Sequence, residues 1–249
     1  MENRTLTYFV SDVHLGLRVG SPAEREARFV SFLRSIPAES TRALYMLGDI
    51  WDFWYEYKDV VPRGYVRVFA ALMDLKDAGV DLYFFPGNHD MWCYSYFGEL
   101  GIKVLQQPYV VRIGEKTFCL GHGDGLGPVP FSYRVIKRVF SGKVTQALFS
   151  SLHPTLAFRF GCGWSKSSRQ SHPPYKFRGA DEPLVKFAEE FSRERKVDCF
   201  IFGHYHDEVD MTLESGARLM MTRSWIEDSP YLYSDGSSVF FGHSKKTEK

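Results

Sequence analysis

Five short clusters of His, Asp, Asn and Gly recur along this 249-residue chain, and each follows an apolar run. They are Asp12-Val13-His14, Gly48-Asp49-Ile50-Trp51-Asp52, Gly87-Asn88-His89-Asp90, Gly121-His122-Gly123-Asp124 and Gly203-His204-Tyr205-His206. One such cluster alone is typical of an ordinary turn after a strand. Five in succession, holding five of the eight histidines, predict a shared chemical site.

The side chains in these clusters are ligands for metal ions. Carboxylates, imidazoles and amide oxygens suit borderline divalent ions such as Mn²⁺, Fe²⁺ or Zn²⁺, and the absence of Cys from the clusters argues against structural zinc. There are too many ligands for one ion. Two ions about 3.5–4 Å apart share a carboxylate, activate water and hold a phosphoryl group. Strand alternation would place Asp12 and His14 on one face, and His204 and His206 likewise.

The elements between the clusters indicate the fold that positions them. Apolar runs predict strands at 7–10, 43–47, 82–85, 117–120 and 197–202. Ser21 and Pro22 predict the start of a helix, and a second helix is expected from Val66 to about Gly79. A βαβαβ opening followed by hairpins predicts an α/β fold of two mixed sheets packed together, with helices outside.

A length of 249 residues suits one large α/β domain or two small ones, and we expect a single domain over residues 1–249. With 44% hydrophobic and 24% charged residues, the composition is that of an ordinary globular chain. The four cysteines show no CxxC spacing, which favours buried thiols in a reducing compartment. No signal peptide is visible, and no apolar run is long enough to span a bilayer. We therefore expect a cytoplasmic protein.

A basic segment interrupts the clusters between Asp124 and Gly203. No Asp or Glu occurs from Gly125 to Ala180, which holds nine basic residues. Apolar spacing at 131–140 and 144–160, separated by Gly142, predicts two basic amphipathic helices. We interpret residues 126–180 as a lid that binds acyl chains and faces a membrane. The alternative is a helical hairpin that packs on the core, with its charges in solvent. Nucleic-acid binding is a further possibility for the basic residues, but the apolar faces suit acyl chains better.

In this order, the five clusters resemble those of the calcineurin-like metallophosphoesterase superfamily. The resemblance implies a sandwich of two mixed sheets flanked by helices and a dinuclear metal site, with Mn²⁺ favoured over Fe²⁺ or Zn²⁺. By resemblance, the first ion would be held by Asp12, His14 and His206. The second would be held by Asn88, His122 and His204. Asp49 would bridge them, and a metal-bridging hydroxide would attack phosphorus.

The same resemblance gives roles to the remaining cluster residues. His89 would contact the phosphate or protonate the leaving group, and Asp90 would be the partner that orients His89. Asp52 and Asp124 are interpreted as braces for their loops.

The basic segment is similar to the lid of one branch, the UDP-2,3-diacylglucosamine pyrophosphatases of lipid A synthesis. This implies cleavage of an acylated nucleotide sugar to UMP and 2,3-diacylglucosamine 1-phosphate at the anionic surface of the inner membrane, without a nucleic-acid partner. The residues implied in substrate binding are Asn88, His89, Trp164, Ser165, Lys166, Ser168 and Arg169. His89 departs from the branch, whose well-known members have Arg there.

Two other functions stay open at this point. One is a soluble phosphoesterase acting on another phosphodiester or nucleotide pyrophosphate, and the other is a metal-dependent scaffold subunit. The full set of seven ligands argues against the scaffold, which would not need them. The sequence does not indicate an oligomeric state.

Overall fold

Two mixed β-sheets form the centre of the molecule. The computed structural model describes residues 4–171 and 176–244, apart from the side chains of Cys162 and of residues 164–171. The first sheet has the order β11-β10-β1-β2-β3-β4 and contains β1 (Leu6–Val10), β2 (Thr41–Met46), β3 (Asp81–Phe84), β4 (Lys103–Val104), β10 (Pro230–Ser234) and β11 (Val239–His243). The second has the order β5-β6-β7-β9-β8 and contains β5 (Tyr109–Ile113), β6 (Lys116–Leu120), β7 (Cys199–Phe202), β8 (Val209–Thr212) and β9 (Arg218–Met221).

Helices flank the sheets and connect their strands. They are α1 (Pro22–Ser35), α2 (Val66–Asp77), α3 (Tyr96–Glu99), α4 (Phe131–Ser141), α5 (Lys143–Ser150), α6 (Pro154–Ser171) and α7 (Pro183–Glu194). Strands β1 to β4 run parallel, as do β6, β7 and β9, whereas β10 and β11 form an antiparallel hairpin. The predicted pair of mixed sheets with helices outside is confirmed.

Alternation along the strands decides which residues face which layer. In β1, Phe9 belongs to the core between the two sheets, together with Phe118 of β6. Its neighbour Val10 points the other way, into the core that α1 and α2 form on the first sheet. A third core packs α7 onto the second sheet through Leu184 and Ala188. The fold therefore has four layers, with the two sheets between outer layers of helices.

Helix α1 begins as the sequence predicts. The Ser21 side chain accepts a hydrogen bond from the backbone N–H of Glu24 at 3.3 Å, and Pro22 occupies the first turn. This cap satisfies one of the N–H groups that a helix start leaves without an intrahelical partner.

The basic segment forms three helices, so the predicted single helix over 144–160 is wrong. Helix α5 ends at Ser150, and Pro154 begins α6. The physical reason is Pro154, because a proline has no N–H to donate and disfavours helical backbone at the residue before it. Proline is favoured at a first helical position, so Pro154 begins a new helix. The apolar spacing over 144–160 therefore belongs to two helices and not to one.

Aromatic side chains of the body form hydrogen bonds to α4 and α5. Trp92 donates from Nε1 to the carbonyl oxygen of Phe140 at 3.0 Å, and the Tyr55 hydroxyl donates to that of Gln146 at 2.9 Å. The ring of Trp92 also stacks on Phe149, with centroids 5.9 Å apart. Phe140 lies in the last turn of α4, where carbonyl groups lack intrahelical partners. Both bonds tie the segment to the body.

Candidate metal centre

The structure brings all five clusters together at the carboxyl ends of the strands. Three clusters follow β1, β2 and β3 of the first sheet, and two follow β6 and β7 of the second. Parallel strands expose these ends on one edge of each sheet, where ligands commonly bind. Asp12, His14, Asp49 and His122 are almost completely buried there.

The backbone at these positions is left-handed. Six non-glycine residues of the described chain have positive φ angles, and five of them are predicted metal ligands: Asp12 (53°), His14 (50°), Asp49 (53°), His204 (76°) and His206 (57°). Strand alternation was the predicted reason that Asp12 and His14, and likewise His204 and His206, point the same way. This reason is wrong, because β1 ends at Val10 and β7 at Phe202, before these residues. Such conformations cost about 1–3 kcal/mol each and typically mark functional sites.

Asp12, His14 and His206 form the first group of donor atoms. The Nε2 atoms of the two imidazoles lie 3.0 Å apart, and Asp12 Oδ1 lies 3.2 Å from Nε2 of His206. Asp12 Oδ2 accepts the backbone N–H of His204 at 3.0 Å, whereas Oδ1 is buried without a hydrogen-bond partner. A buried carboxylate oxygen without a partner is costly. Its convergence with two ring nitrogens fits a divalent cation.

Asn88, His122 and His204 form the second group. The Nδ1 atom of His122 lies 2.9 Å from the carbonyl oxygen of Leu47, to which it donates, and its Nε2 lies 3.2 Å from Asn88 Oδ1. Because Nδ1 donates, Nε2 of a neutral His122 carries a lone pair, and this lone pair faces the acceptor Asn88 Oδ1. Two acceptors this close need a proton or a cation between them. The rings of His122 and His204 have centroids 5.2 Å apart. These donors also fit a divalent cation.

Asp49 lies between the two groups. Its Oδ2 is 3.5 Å from Nε2 of His122, and one of its carboxylate oxygens lies within 4.8 Å of donor atoms of Asp12, His14 and His206. Its Oδ1 accepts the backbone N–H of His89 at 2.9 Å, which fixes the carboxylate's orientation. Asp49 is the residue whose position suits contact with both cations.

The charges in the site perturb one another. Burial lowers the pKa of His122, but the Asp49 carboxylate, together with those of Asp12 and Asp124, outweighs this effect and raises the pKa to about 10. Burial raises the pKa of Asp49, yet the positive charges of His122 and His89 hold it well below its ordinary value. Burial lowers the pKa of His204 to about 4, so His204 is neutral at pH 7. A cation bound at His122 would replace a proton, which makes cation binding dependent on pH.

Asp90 has a different partner from the one expected. Its carboxylate accepts backbone N–H groups of Gly87, Asp49, Ile50 and Trp51 at 2.8–3.2 Å. The expectation that Asp90 orients the His89 ring is wrong, because Nδ1 of His89 bonds to the carbonyl oxygen of Asp52 at 3.0 Å. Asp90 instead ties the loops after β2 and β3 together.

Asp52 contacts the site more closely than its interpretation as a loop brace implied. Its Oδ1 lies 3.6 Å from Nδ1 of His14 and 3.9 Å from Nδ1 of His89. A carboxylate behind a metal-binding imidazole orients the ring and increases its basicity. The Gly-Asp-x-x-Asp spacing was the sequence signal for this partner.

Asp124 braces its loop, as the sequence suggested, and also reaches the basic segment. It accepts hydrogen bonds from Gln107 at 2.9 Å, from the Tyr133 hydroxyl at 3.2 Å and from Lys137 at 2.6 Å. Tyr133 and Lys137 belong to α4, so this carboxylate connects the loop of His122 to the overlying helix.

The glycines that open the clusters allow close approach of ligands from other loops. A Cβ atom at Gly87 would lie 2.2 Å from Asp49 Oδ1, and one at Gly203 would lie 2.4 Å from Asp12 Oδ2. Sequence reasoning did not identify these contacts. It also missed Arg25, which is buried and donates to the carbonyl oxygens of His14 and Leu17; its position in α1 gives no signal of that role.

Two cavities adjoin the centre beneath α4–α6. The His89 cavity, about 220 Å³, is lined by Asn88, His89, Trp92, Phe140 and Phe149 among others. The Val60 cavity, about 370 Å³, lies between residues 60–65 and the start of α6. The predicted substrate-binding residues of the lid lie in α6, and their side chains fall outside the described residues: Trp164, Ser165, Lys166, Ser168 and Arg169.

Comparison with known proteins gives a consistent result. The calcineurin-like phosphoesterase family profile matches residues 6–208. The chain is 36% identical to a UDP-2,3-diacylglucosamine hydrolase of Porphyromonas gingivalis, covering 95% of this chain and 96% of that protein. It is 33% identical to the UDP-2,3-diacylglucosamine hydrolase of Proteus mirabilis, covering 84% and 85%. A dimetal phosphatase from Danio rerio has the same fold, with a TM-score of 0.51 at 14% identity, covering 99% and 98%.

Substituting Gly87 by Ala should reduce metal content and activity together, although no ligand is removed. The added Cβ would collide with Asp49, and an overlap of that size must displace either the carboxylate or the backbone. Gly98→Ala is the control, because a Cβ at Gly98 meets nothing within 4 Å. Metal content by mass spectrometry and hydrolysis of a small aryl phosphodiester check this. Full metal content in Gly87→Ala would show that the contact is dispensable.

Proposed function

The chain belongs to the calcineurin-like phosphoesterase family, and we propose that it hydrolyses UDP-2,3-diacylglucosamine to UMP and 2,3-diacylglucosamine 1-phosphate. The observation that carries this proposal is the His89 cavity. It joins Asn88 and His89 of the centre to apolar side chains of α4–α6. Relatives bearing the name of this activity match nearly the whole chain. In a substrate that carries both groups, the diphosphate would bind at Asn88 and His89, and the acyl chains would contact the apolar side chains of the cavity.

The centre would hold two divalent cations, for which we propose Mn²⁺, with Fe²⁺ and Zn²⁺ as alternatives. When bound, they would supply activated water and neutralise charge on the phosphoryl group. Asp12, His14 and His206 would hold one, Asn88, His122 and His204 the other, and Asp49 both. The hydrogen bond from His122 to Leu47 leaves Nε2 free for a cation, and Asp52 supports His14 from behind.

His89 is proposed to contact the substrate phosphate. Its Nδ1 is occupied by the carbonyl oxygen of Asp52, which leaves Nε2 directed toward the centre, 3.9 Å from Asp49 Oδ2. His89 also lines the cavity. A donor held at this place can stabilise charge that develops on the phosphoryl oxygens. Asp90 would act indirectly, by holding the loops of Asp49 and Asn88 in place.

The most direct test compares substrates with and without acyl chains. We expect UDP-2,3-diacylglucosamine to be hydrolysed to UMP and the acylated sugar phosphate. UDP-N-acetylglucosamine should have a kcat/KM at least about 100-fold lower, because burial of apolar groups contributes about 0.8 kcal/mol per methylene. Similar kcat/KM values for both would instead support the soluble phosphoesterase. Metal binding without any hydrolysis would support the scaffold.

We propose that α4–α6 bring the chain to the cytoplasmic surface of an anionic inner membrane. No helix among the described residues has the length and apolar character needed to cross a membrane. Each of the three helices exposes apolar side chains one turn apart: Phe131 and Val135, Val144 and Leu148, and Leu156 and Phe160. Basic residues alternate with them in the sequence, which is typical of helices that lie on an anionic surface.

Flotation with liposomes tests this placement. Binding to vesicles with anionic lipid is expected at low salt and should be lost at high salt. Basic residues near such a surface contribute about 1 kcal/mol each, and salt screens this attraction. Leu148→Glu should weaken binding, because it places a charge in the apolar row. Equal binding to neutral vesicles, or none to anionic ones, would contradict the proposal.

Substitutions at His89 should separate two roles. His89→Ala is expected to lose roughly 100-fold in kcat, the usual scale for one stabilising donor. His89→Arg should retain substantial activity on UDP-2,3-diacylglucosamine. Arg can stabilise charge, and a phosphate ester is a good leaving group that hardly needs an acid. Metal content should be unchanged in both variants. If His89→Ala and His89→Arg lost equal activity and kept their metals, His89 would act as a proton donor. If both variants lost metal, His89 would have a structural role.

A further inference from the structure

The two cavities beside the metal centre share one wall, the side chain of Phe53. Asp52 and Phe53 line both cavities. Beyond Phe53, the His89 cavity continues along Trp92 and Phe149, and the Val60 cavity continues along Tyr65 and Phe158. Both cavities therefore border Asp52, which contacts His14. The Phe53 ring contacts one aromatic ring of each, Trp92 of the His89 cavity and Phe158 of the Val60 cavity.

This ring is fixed in place. It packs edge-on against Trp92, with centroids 5.7 Å apart, and against Phe158, with centroids 5.3 Å apart. The backbone of α6 presses on it at Gly161, where a Cβ atom would lie 2.2 Å from the ring. Only a glycine allows a helix to approach a ring this closely without displacing it. Phe53 is therefore closely packed where the two cavities meet.

The sizes of the cavities favour two occupants. Ligand pockets usually begin at roughly 300 Å³, so the His89 cavity, at about 220 Å³, is small for a diacylated group. The Val60 cavity adds about 370 Å³, with walls that include Val60, Val61, Tyr65 and Phe158. Two chains attached to neighbouring carbons of one sugar could enter the cavities from a common origin near Asp52.

We propose that the two acyl chains of the substrate occupy separate cavities, one on each side of Phe53, and that Phe53 sorts them. This inference rests on the proposed function and adds a specificity-determining residue to it. Each chain would then be selected by its own cavity rather than by their combined volume.

Matched substitutions of three half-exposed valines test the proposal. Val60→Trp narrows the Val60 cavity and Val139→Trp narrows the His89 cavity, which Val139 lines; the two residues are 48% and 47% exposed. Val19→Trp is the control, because Val19 is 49% exposed and lines neither cavity. The substrates are UDP-2,3-diacylglucosamine and its two monoacyl forms, acylated at position 2 or at position 3.

Each cavity variant should lose about tenfold in kcat/KM for the diacyl substrate, the effect of displacing roughly two methylene groups. Each variant should lose about as much kcat/KM for one of the two monoacyl substrates and keep its kcat/KM for the other. Val60→Trp and Val139→Trp should impair different monoacyl substrates. In a Phe53→Ala background, either tryptophan should affect both monoacyl substrates alike. Thermal melting checks that every variant is folded.

Three results would overturn the proposal. If both tryptophans impaired the same monoacyl substrate, the two variants would narrow one shared site. If Val60→Trp had no effect, the Val60 cavity would hold no part of the substrate. Retention of the sorting pattern in the Phe53→Ala background would remove Phe53 from the role. If the wild-type chain failed to hydrolyse the diacyl substrate at all, the proposed function itself would fail.

Discussion

The structure depends on holding several metal-binding side chains close together where little water reaches them. Donor atoms of Asp12, His14, Asp49 and His206 lie within 4.8 Å of one another, and Asp12, His14 and Asp49 are almost fully buried. Carboxylates this close repel each other unless positive charge lies between them. The left-handed backbone at these residues, the glycines of the loops and the four N–H groups on Asp90 all maintain this arrangement. Bound divalent cations would supply the positive charge that this arrangement needs.

The same centre determines what the rest of the molecule contributes. The two sheets meet so that the loops after β1, β2 and β3 face those after β6 and β7. Segment α4–α6 lies over this edge, tied to it through Asp124 at one point and through Trp92 and Tyr55 at others. The apolar His89 cavity therefore adjoins the centre, because Asn88 and His89 line it. Under the proposed function, the diphosphate and the acyl chains bind on the two sides of this junction.

Much of this could be predicted from sequence, because apolar strands followed by polar clusters are local patterns. The clusters, the two-sheet fold and the cap at Ser21 all followed from residue type and spacing. What could not be predicted depends on contacts between distant segments. The partner of Asp90 is a set of backbone N–H groups, which any sequence possesses. The spacing singled out Asp52, but its contact with His14 joins residues 38 positions apart. Pro154 was a signal for the break between α5 and α6, but the apolar periodicity on either side of it favoured one continuous helix.

Stepwise addition of Mn²⁺ to the metal-free chain tests the dinuclear centre most directly, with metal content and hydrolysis of UDP-2,3-diacylglucosamine measured at each step. We expect turnover to rise with the second equivalent and to reach its plateau at two ions per chain. Asp49→Ala should neither retain two ions nor turn over substrate, because the position suited to both cations is lost. Full turnover at one ion per chain, or near wild-type turnover of Asp49→Ala with two ions bound, would contradict the dinuclear centre.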